Sequence, residues 1–188
     1  MSEDNKFIRL FMGIPAPDSC KQEYEVLKDS LSDKAWLSWT KLENLHITSL
    51  FLGNVNADML DNLIELFAYG HSQIDAFELT NGRWQWAPKG HDIRMLWLQF
   101  QKSPDFNLLV KSSQGWFSQI QPFPQQWTAP IPHMTSARCN PHKFDPQTRL
   151  PEHLVCGSIK VDKLALWRSD QLDGGIRYTK LAGFALRS

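Results

Sequence analysis

Leu45-His46-Ile47-Thr48-Ser49-Leu50-Phe51-Leu52 is a short run of apolar residues broken by polar ones and closed by Gly53-Asn54. Its length, its branched Ile and Thr and the turn pair behind it read as a strand. Side chains alternate along a strand, so His46 and Thr48 share one face and Ile47 points the other way, into a core. The chain repeats this pattern once. Pro132-His133-Met134-Thr135 opens a second expected strand, His133 to Arg138, with His133 and Thr135 on one face and Met134 on the other. Each half of the chain thus offers an imidazole and a hydroxyl side by side on a rigid element.

Working outward, Phe7 to Ile14 reads as a buried strand ended by Pro15-Ala16-Pro17. Ser19-Cys20-Lys21-Gln22 has the spacing of a capping box, predicting a helix from there to about Leu31. Asn56 suits the cap of a helix through Phe67, whose apolar stripe is Leu60, Leu63, Ile64 and Phe67. Phe77 to Trp86 and Ile93 to Phe100 read as a hairpin joined by Pro88-Lys89-Gly90-His91. Ser103-Pro104-Asp105 starts a helix to about Ile120. A proline-rich stretch, Pro122 to Pro132, leads into the second His-x-Thr strand. Asn140 to Pro151 reads as a loop, and Ser158 to Trp167 and Ile176 to Leu186 as closing strands. Helices and strands mix without strict alternation, which predicts an α+β fold with antiparallel pairing.

The 188 residues suffice for one domain, residues 1–188, with a sizeable core. Eight Trp and eleven Phe argue against disorder. The formal net charge is zero, which excludes a protein that coats long nucleic acid but not one that grips a single phosphate. Cys20, Cys139 and Cys156 form no CxxC pair, so neither a zinc site nor a disulfide framework is expected, and a reduced, cytoplasmic setting fits. No basic-then-apolar leader and no long apolar window occurs, so neither a signal peptide nor a membrane span is expected.

The paired imidazoles carry the chemistry. With an unperturbed pKa of about 6.5, one neutral ring can take a proton from water while a second, protonated ring gives one to a departing oxygen. The two threonine hydroxyls can donate hydrogen bonds to phosphate oxygens, where charge builds in the transition state. No metal or cofactor is needed. A single His-x-Thr is weak: Thr fills seven of 188 positions, so any His has a roughly 4% chance of a Thr two places on. Two copies on separate strands are stronger. His71, His91, His142 and His153 lack metal-ligand spacing and read as solvated surface residues. Ser112-Ser113-Gln114-Gly115 is no nucleophile elbow, and Gly174-Gly175 is a turn rather than a phosphate loop. Trp84, Trp86 and Trp97 could stack on bases, but packing is their better reading.

Several segments in order resemble the two-histidine (2H) phosphoesterases, within them the RNA 2′,3′-cyclic phosphodiesterases first described as bacterial 2′-5′ RNA ligases. They are Arg9-Leu10-Phe11-Met12-Gly13-Ile14-Pro15; Trp39, Glu43-Asn44-Leu45-His46-Ile47-Thr48 and Phe51-Leu52-Gly53; Pro132-His133-Met134-Thr135-Ser136-Ala137-Arg138; and Arg177-Tyr178-Thr179-Lys180-Leu181. The resemblance implies a bilobal α+β fold: two antiparallel-rich sheets with flanking helices about a pseudo-twofold axis, and an active-site cleft between the lobes. It implies His46 as proton donor to the 3′ oxygen, His133 as proton acceptor from water, and a 2′-phosphomonoester product, with 2′-5′ ligation as the reverse type of reaction. It also implies Arg138 as a phosphate ligand beside Thr48 and Thr135. The expected partner is an RNA end bearing a 2′,3′-cyclic phosphate, met by a monomer. On an ideal strand the odd offset turns Arg138 away from His133, so a bulge, a strand end or a reach from the cleft edge is required. Other readings are a 2H activity on an ADP-ribose cyclic phosphate or 2′-5′ oligoadenylate, or a non-catalytic RNA-end binder.

Overall fold

The computed structural model describes residues 6–90, 92–122, 130–173 and 175–188. His91, Gly174 and residues 123–129 of the proline-rich stretch lie outside them. In chain order the elements are β1 Phe7–Pro15, α1 Asp18–Ser30, β2 Leu37–Trp39, β3 His46–Asn56, α2 Leu60–His71, β4 Phe77–Leu79, β5 Gly82–Ala87, β6 Met95–Gln99, α3 Pro104–Phe117, β7 His133–Cys139, β8 Val155–Cys156, β9 Ile159–Val161, β10 Lys163–Leu172 and β11 Gly175–Ala185. The fold is α+β and its strand ladders are antiparallel, as expected.

One unit occurs twice. In β1-α1-β3 and again in β6-α3-β7, a strand and a helix precede an antiparallel His-x-Thr strand. The first unit extends through β10 to β11, and the second through β5 to β8 with β2 added to β7. The two expected sheets are continuous rather than separate, because β3 and β7 meet edge to edge at a single pair, Ile47 opposite Met134. Both joint residues are almost wholly buried, at 2% and 1% exposure. The helices cross over: α1 packs on β8, while α3 packs on α2 and β3.

Some local expectations change. The capping box at Ser19 does not form: the helix starts at Asp18, after Pro17, whose backbone is still extended at ψ 161°, and no side chain caps it. β3 does not stop at Gly53-Asn54, because Gly53 takes a φ of +74° within an irregular register and the strand bends on to Asn56. The expected strand from Phe77 to Trp86 is cut at Asn81, which sits at φ 55°, a region asparagine tolerates. The expected strand from Ser158 to Trp167 is cut at Asp162. The freed pieces β4 and β9 pair with each other as a small second sheet. Helix α3 has the foreseen Ser103 cap on the Phe106 N–H but ends at Phe117. Among the described residues no helix is long and apolar enough to cross a membrane.

Candidate active site

Because Ile47 and Met134 are paired and face the core, the residues on either side of each face the other way together. His46, Thr48, His133 and Thr135 therefore share one half-buried face across the joint. The antiparallel register sets His46 toward Thr135 and Thr48 toward His133.

The two imidazoles are held alike. His46 Nδ1 lies 2.6 Å from the Asn44 carbonyl and His133 Nδ1 lies 2.8 Å from the Ile131 carbonyl, each two residues upstream. A carbonyl only accepts, so each Nδ1 carries the proton and each neutral ring keeps its lone pair on Nε2. His46 Nε2 is 3.1 Å from Thr48 Oγ1, from which the neutral ring accepts. Their walls differ. His46 is enclosed by Phe11, Trp167 and Tyr178, with ring centroids 4.8, 5.4 and 5.5 Å away. His133 stacks on one ring, Trp97, at 3.8 Å and 27°. Gly13, beside Thr48 on β1, makes room for His46: a Cβ there would stand 2.7 Å from the Ile47 carbonyl and 3.3 Å from His46 Cδ2.

Burial holds the His46 imidazole below its ordinary range, against the pull of the Asn44 carbonyl, and positive charge on His133 lowers it further. Burial likewise depresses His133, against the pull of Ile131. The His46 ring thus feels the charge of His133. A phosphate anion between them would reverse the burial effect by favouring protonated rings.

A β-bulge follows each His-x-Thr. Thr48 and Leu50 oppose consecutive residues of β1, leaving Ser49 as the extra residue; Thr135 and Ala137 oppose consecutive residues of β6, leaving Ser136. Each bulge shifts the alternation by one. Arg138 thereby returns to the face of His133, exposed, while Ala137 and Cys139 face the core. Of the three ways left open by the odd offset, a strand end, a bulge or a reach from the cleft edge, the structure has the bulge. The same shift in the first half brings up Phe51, which pairs with Phe11 and is 52% exposed. Thr40 braces the second motif, its N–H on the Ser136 carbonyl and its hydroxyl on that of Thr135.

The other candidates divide. His142 and His153 are exposed, as expected. His71 is not a surface residue: it is fully buried between α2 and α3, bonded to the Phe67 carbonyl and to Ser113 Oγ, because Trp116 lies flat against the bare backbone of Gly70 and lets the helices close in. Trp84 is core, and Trp86 packs on Trp36 and Phe144. Trp97, for which packing is the better of the two readings, stands at the site, stacked on His133. Among the described residues no group of three His, Cys, Asp or Glu is placed to hold a metal ion.

Residues 14–97 match the family model of the LigT-like phosphoesterases, the 2H group that the sequence resembles. The matched span contains His46 and Thr48 and ends before His133. An RNA 2′,3′-cyclic phosphodiesterase of Methanothermobacter thermautotrophicus (strain Delta H) is 24% identical over 184 residues, 95% of this chain and 99% of that protein. TT0787 of Thermus thermophilus shares the fold at a TM-score of 0.78 and 22% identity, over 96% of this chain and 98% of its own. E. coli LigT complexed with phosphate does so at 0.73 and 23%, over 97% and 99%.

Proposed function

We propose that the chain, as one domain, hydrolyses 2′,3′-cyclic phosphate ends of RNA to 2′-phosphomonoesters. The observation that carries this reading is the joint at Ile47–Met134, which presents two imidazoles, both tied down at Nδ1, and two hydroxyls on one face. The full-length relative named for this activity supports the substrate class, and the phosphate complex of E. coli LigT supports a phosphate ligand.

The phosphate lies between the Nε2 atoms. Neutral His133 takes a proton from water as the water oxygen bonds to phosphorus. Protonated His46 gives its proton to the 3′ ribose oxygen as the phosphorus–oxygen bond breaks. Each transfer contributes on the order of 10²–10⁴ in rate. Thr48, Thr135 and Arg138 bind the non-bridging oxygens, and 2′-5′ ligation is the reverse type of transesterification on the same groups. The residues supply this chemistry themselves, so the rate is expected to survive EDTA.

The test is a short RNA ending in a 2′,3′-cyclic phosphate, with the product resolved into 2′- and 3′-phosphate. A 2′-phosphate is expected; no turnover, or a 3′-phosphate, refutes the reading. Replacing the 3′ leaving oxygen by sulfur removes the need for the acid, so that substrate rescues His46→Ala and not His133→Ala. The opposite rescue reverses the two roles. The rate follows a bell in pH that belongs to the pair jointly. Since burial depresses both rings in the free protein, kcat/KM is expected to be falling already by about pH 7.

A further inference from the structure

The face that carries His46 and Thr48 continues over β3, β1, β10 and β11; Phe11, Ala165 and Trp167 on it are buried, and the positions around them are open. Phe51 on β3, Phe7 on β1 and Ile176 on β11 expose 52%, 58% and 47% of their surfaces. By the same alternation and register, Arg9 on β1, Lys163 on β10 and Lys180 on β11 lie on this face, all exposed. None of the three forms an ion pair among the described residues. No Asp or Glu falls on this face at any described strand position, in a chain whose net charge is zero.

Open rings interleaved with unpaired cations are what a single strand of nucleic acid binds: bases stack on the rings and phosphates meet the cations. We infer that the RNA strand upstream of the reacting nucleotide runs over the first half of the sheet, from Phe51 past Arg9 to Phe7. Phe51 pairs with Phe11, and Phe7 lies four residues further along β1, about 14 Å away. The inference rests on the proposed activity and extends it, making the substrate an oligonucleotide rather than a lone nucleotide. The second half has Arg83 and Arg138 exposed on this face but no open ring between them. Trp97 is covered by His133, and Gln85 and Gln99 are bonded to each other.

The test compares kcat/KM for a hexanucleotide and a single nucleotide, each bearing a 2′,3′-cyclic phosphate. The hexanucleotide is expected to be the better substrate, and Phe7→Ala to lower the ratio of the two about tenfold, the loss of one stacked base. Arg9→Gln is expected to lower the ratio and to make it less salt-dependent. Arg83→Gln, on the other half, is the control. No preference for length, or a ratio lost in Arg83→Gln and kept in Phe7→Ala and Arg9→Gln, overturns the inference. If neither substrate is hydrolysed, the proposed activity fails on its own. The path is then read from fluorescence anisotropy of a labelled hexanucleotide ending in a 3′-phosphate. Weaker binding by Phe7→Ala and Arg9→Gln than by Arg83→Gln supports it, and equal binding overturns it.

Discussion

The two His-x-Thr strands share a backbone and diverge in what surrounds it. Both tie the histidine Nδ1 to a carbonyl two residues back, and both bulge at a serine one residue after the threonine. Five residues beyond the histidine, however, one half presents Phe51 and the other Arg138. Beside the threonine, one half has Gly13 and the other Trp97. In the proposed reaction, two equivalent proton-transfer positions need matching frames, whereas a ribose phosphate has unlike ends that need unlike neighbours. The backbone repeats what the chemistry needs twice, and the side chains differ where the substrate does.

The equivalence is broken most severely by His46→Ala or His133→Ala. Each is expected to lower turnover on the order of 10²–10⁴-fold while the far-ultraviolet circular dichroism stays that of the folded chain. Near-normal turnover in either would show that the matched frames serve something other than proton transfer.

The packing that holds the halves together can be loosened by acid. His71 of α2 is fully buried against α3, and burial drives its pKa down to about 4, with the Phe67 carbonyl pulling the other way. An unfolded histidine titrates at about 6.5, so between these values the unfolded chain binds more protons than the folded one. The contribution is full above about pH 6.5 and is lost as pH falls to about 4, at a cost of about 3 kcal/mol. His71→Gln, which does not titrate, is expected to flatten this acid limb in urea melts taken across that range. An unchanged limb would assign acid sensitivity elsewhere.

The unlike neighbours are probed next. Arg138→Ala is expected to lower kcat/KM about 10- to 100-fold, the size of a hydrogen bond to a charged group. Arg138→Lys recovers part of this, because the ammonium keeps the charge but not the planar fork. Phe51→Ala is expected to act through KM. If Arg138→Ala also leaves kcat untouched, the two positions are alike in function despite their chemistry.

The smallest effect sharpens the likeness itself. The hydroxyls of Ser49 and Ser136 are buried and, among the described residues, without a hydrogen-bond partner. Ser→Ala at either is expected to shift stability by less than about 1 kcal/mol in either direction, because no bond is lost. A large loss at only one would show that the two bulges are held by different means.

The period-two patterns around His46 and His133 were legible in the sequence because strand alternation is a local property. That Arg138 requires a strand end, a reach from the cleft edge or a bulge was legible too, as a conflict between that alternation and an odd offset. The position of the bulge, at Ser136, was not, since a bulge is defined by the partner strand. The meeting of Ile47 with Met134 and the cutting of strands at Asn81 and Asp162 depend on pairing between distant segments, which no window reveals. His71 looked like a surface residue because its burial is produced by Gly70 and Trp116, on two different helices.

The position of β1 has a consequence in time. It lies between β3, reached within some forty residues, and β10, whose partner residues begin near position 165. A chain emerging from its start therefore carries one bare edge of β1 until almost all of it has been made. Such long-range pairing slows folding and leaves sticky intermediates. The rings of Trp167 and Tyr178 arrive with the same late hairpin, so the His46 pocket closes among the last events of folding. Any chain cut short before residue 163 lacks both the partner strand and the wall of that pocket.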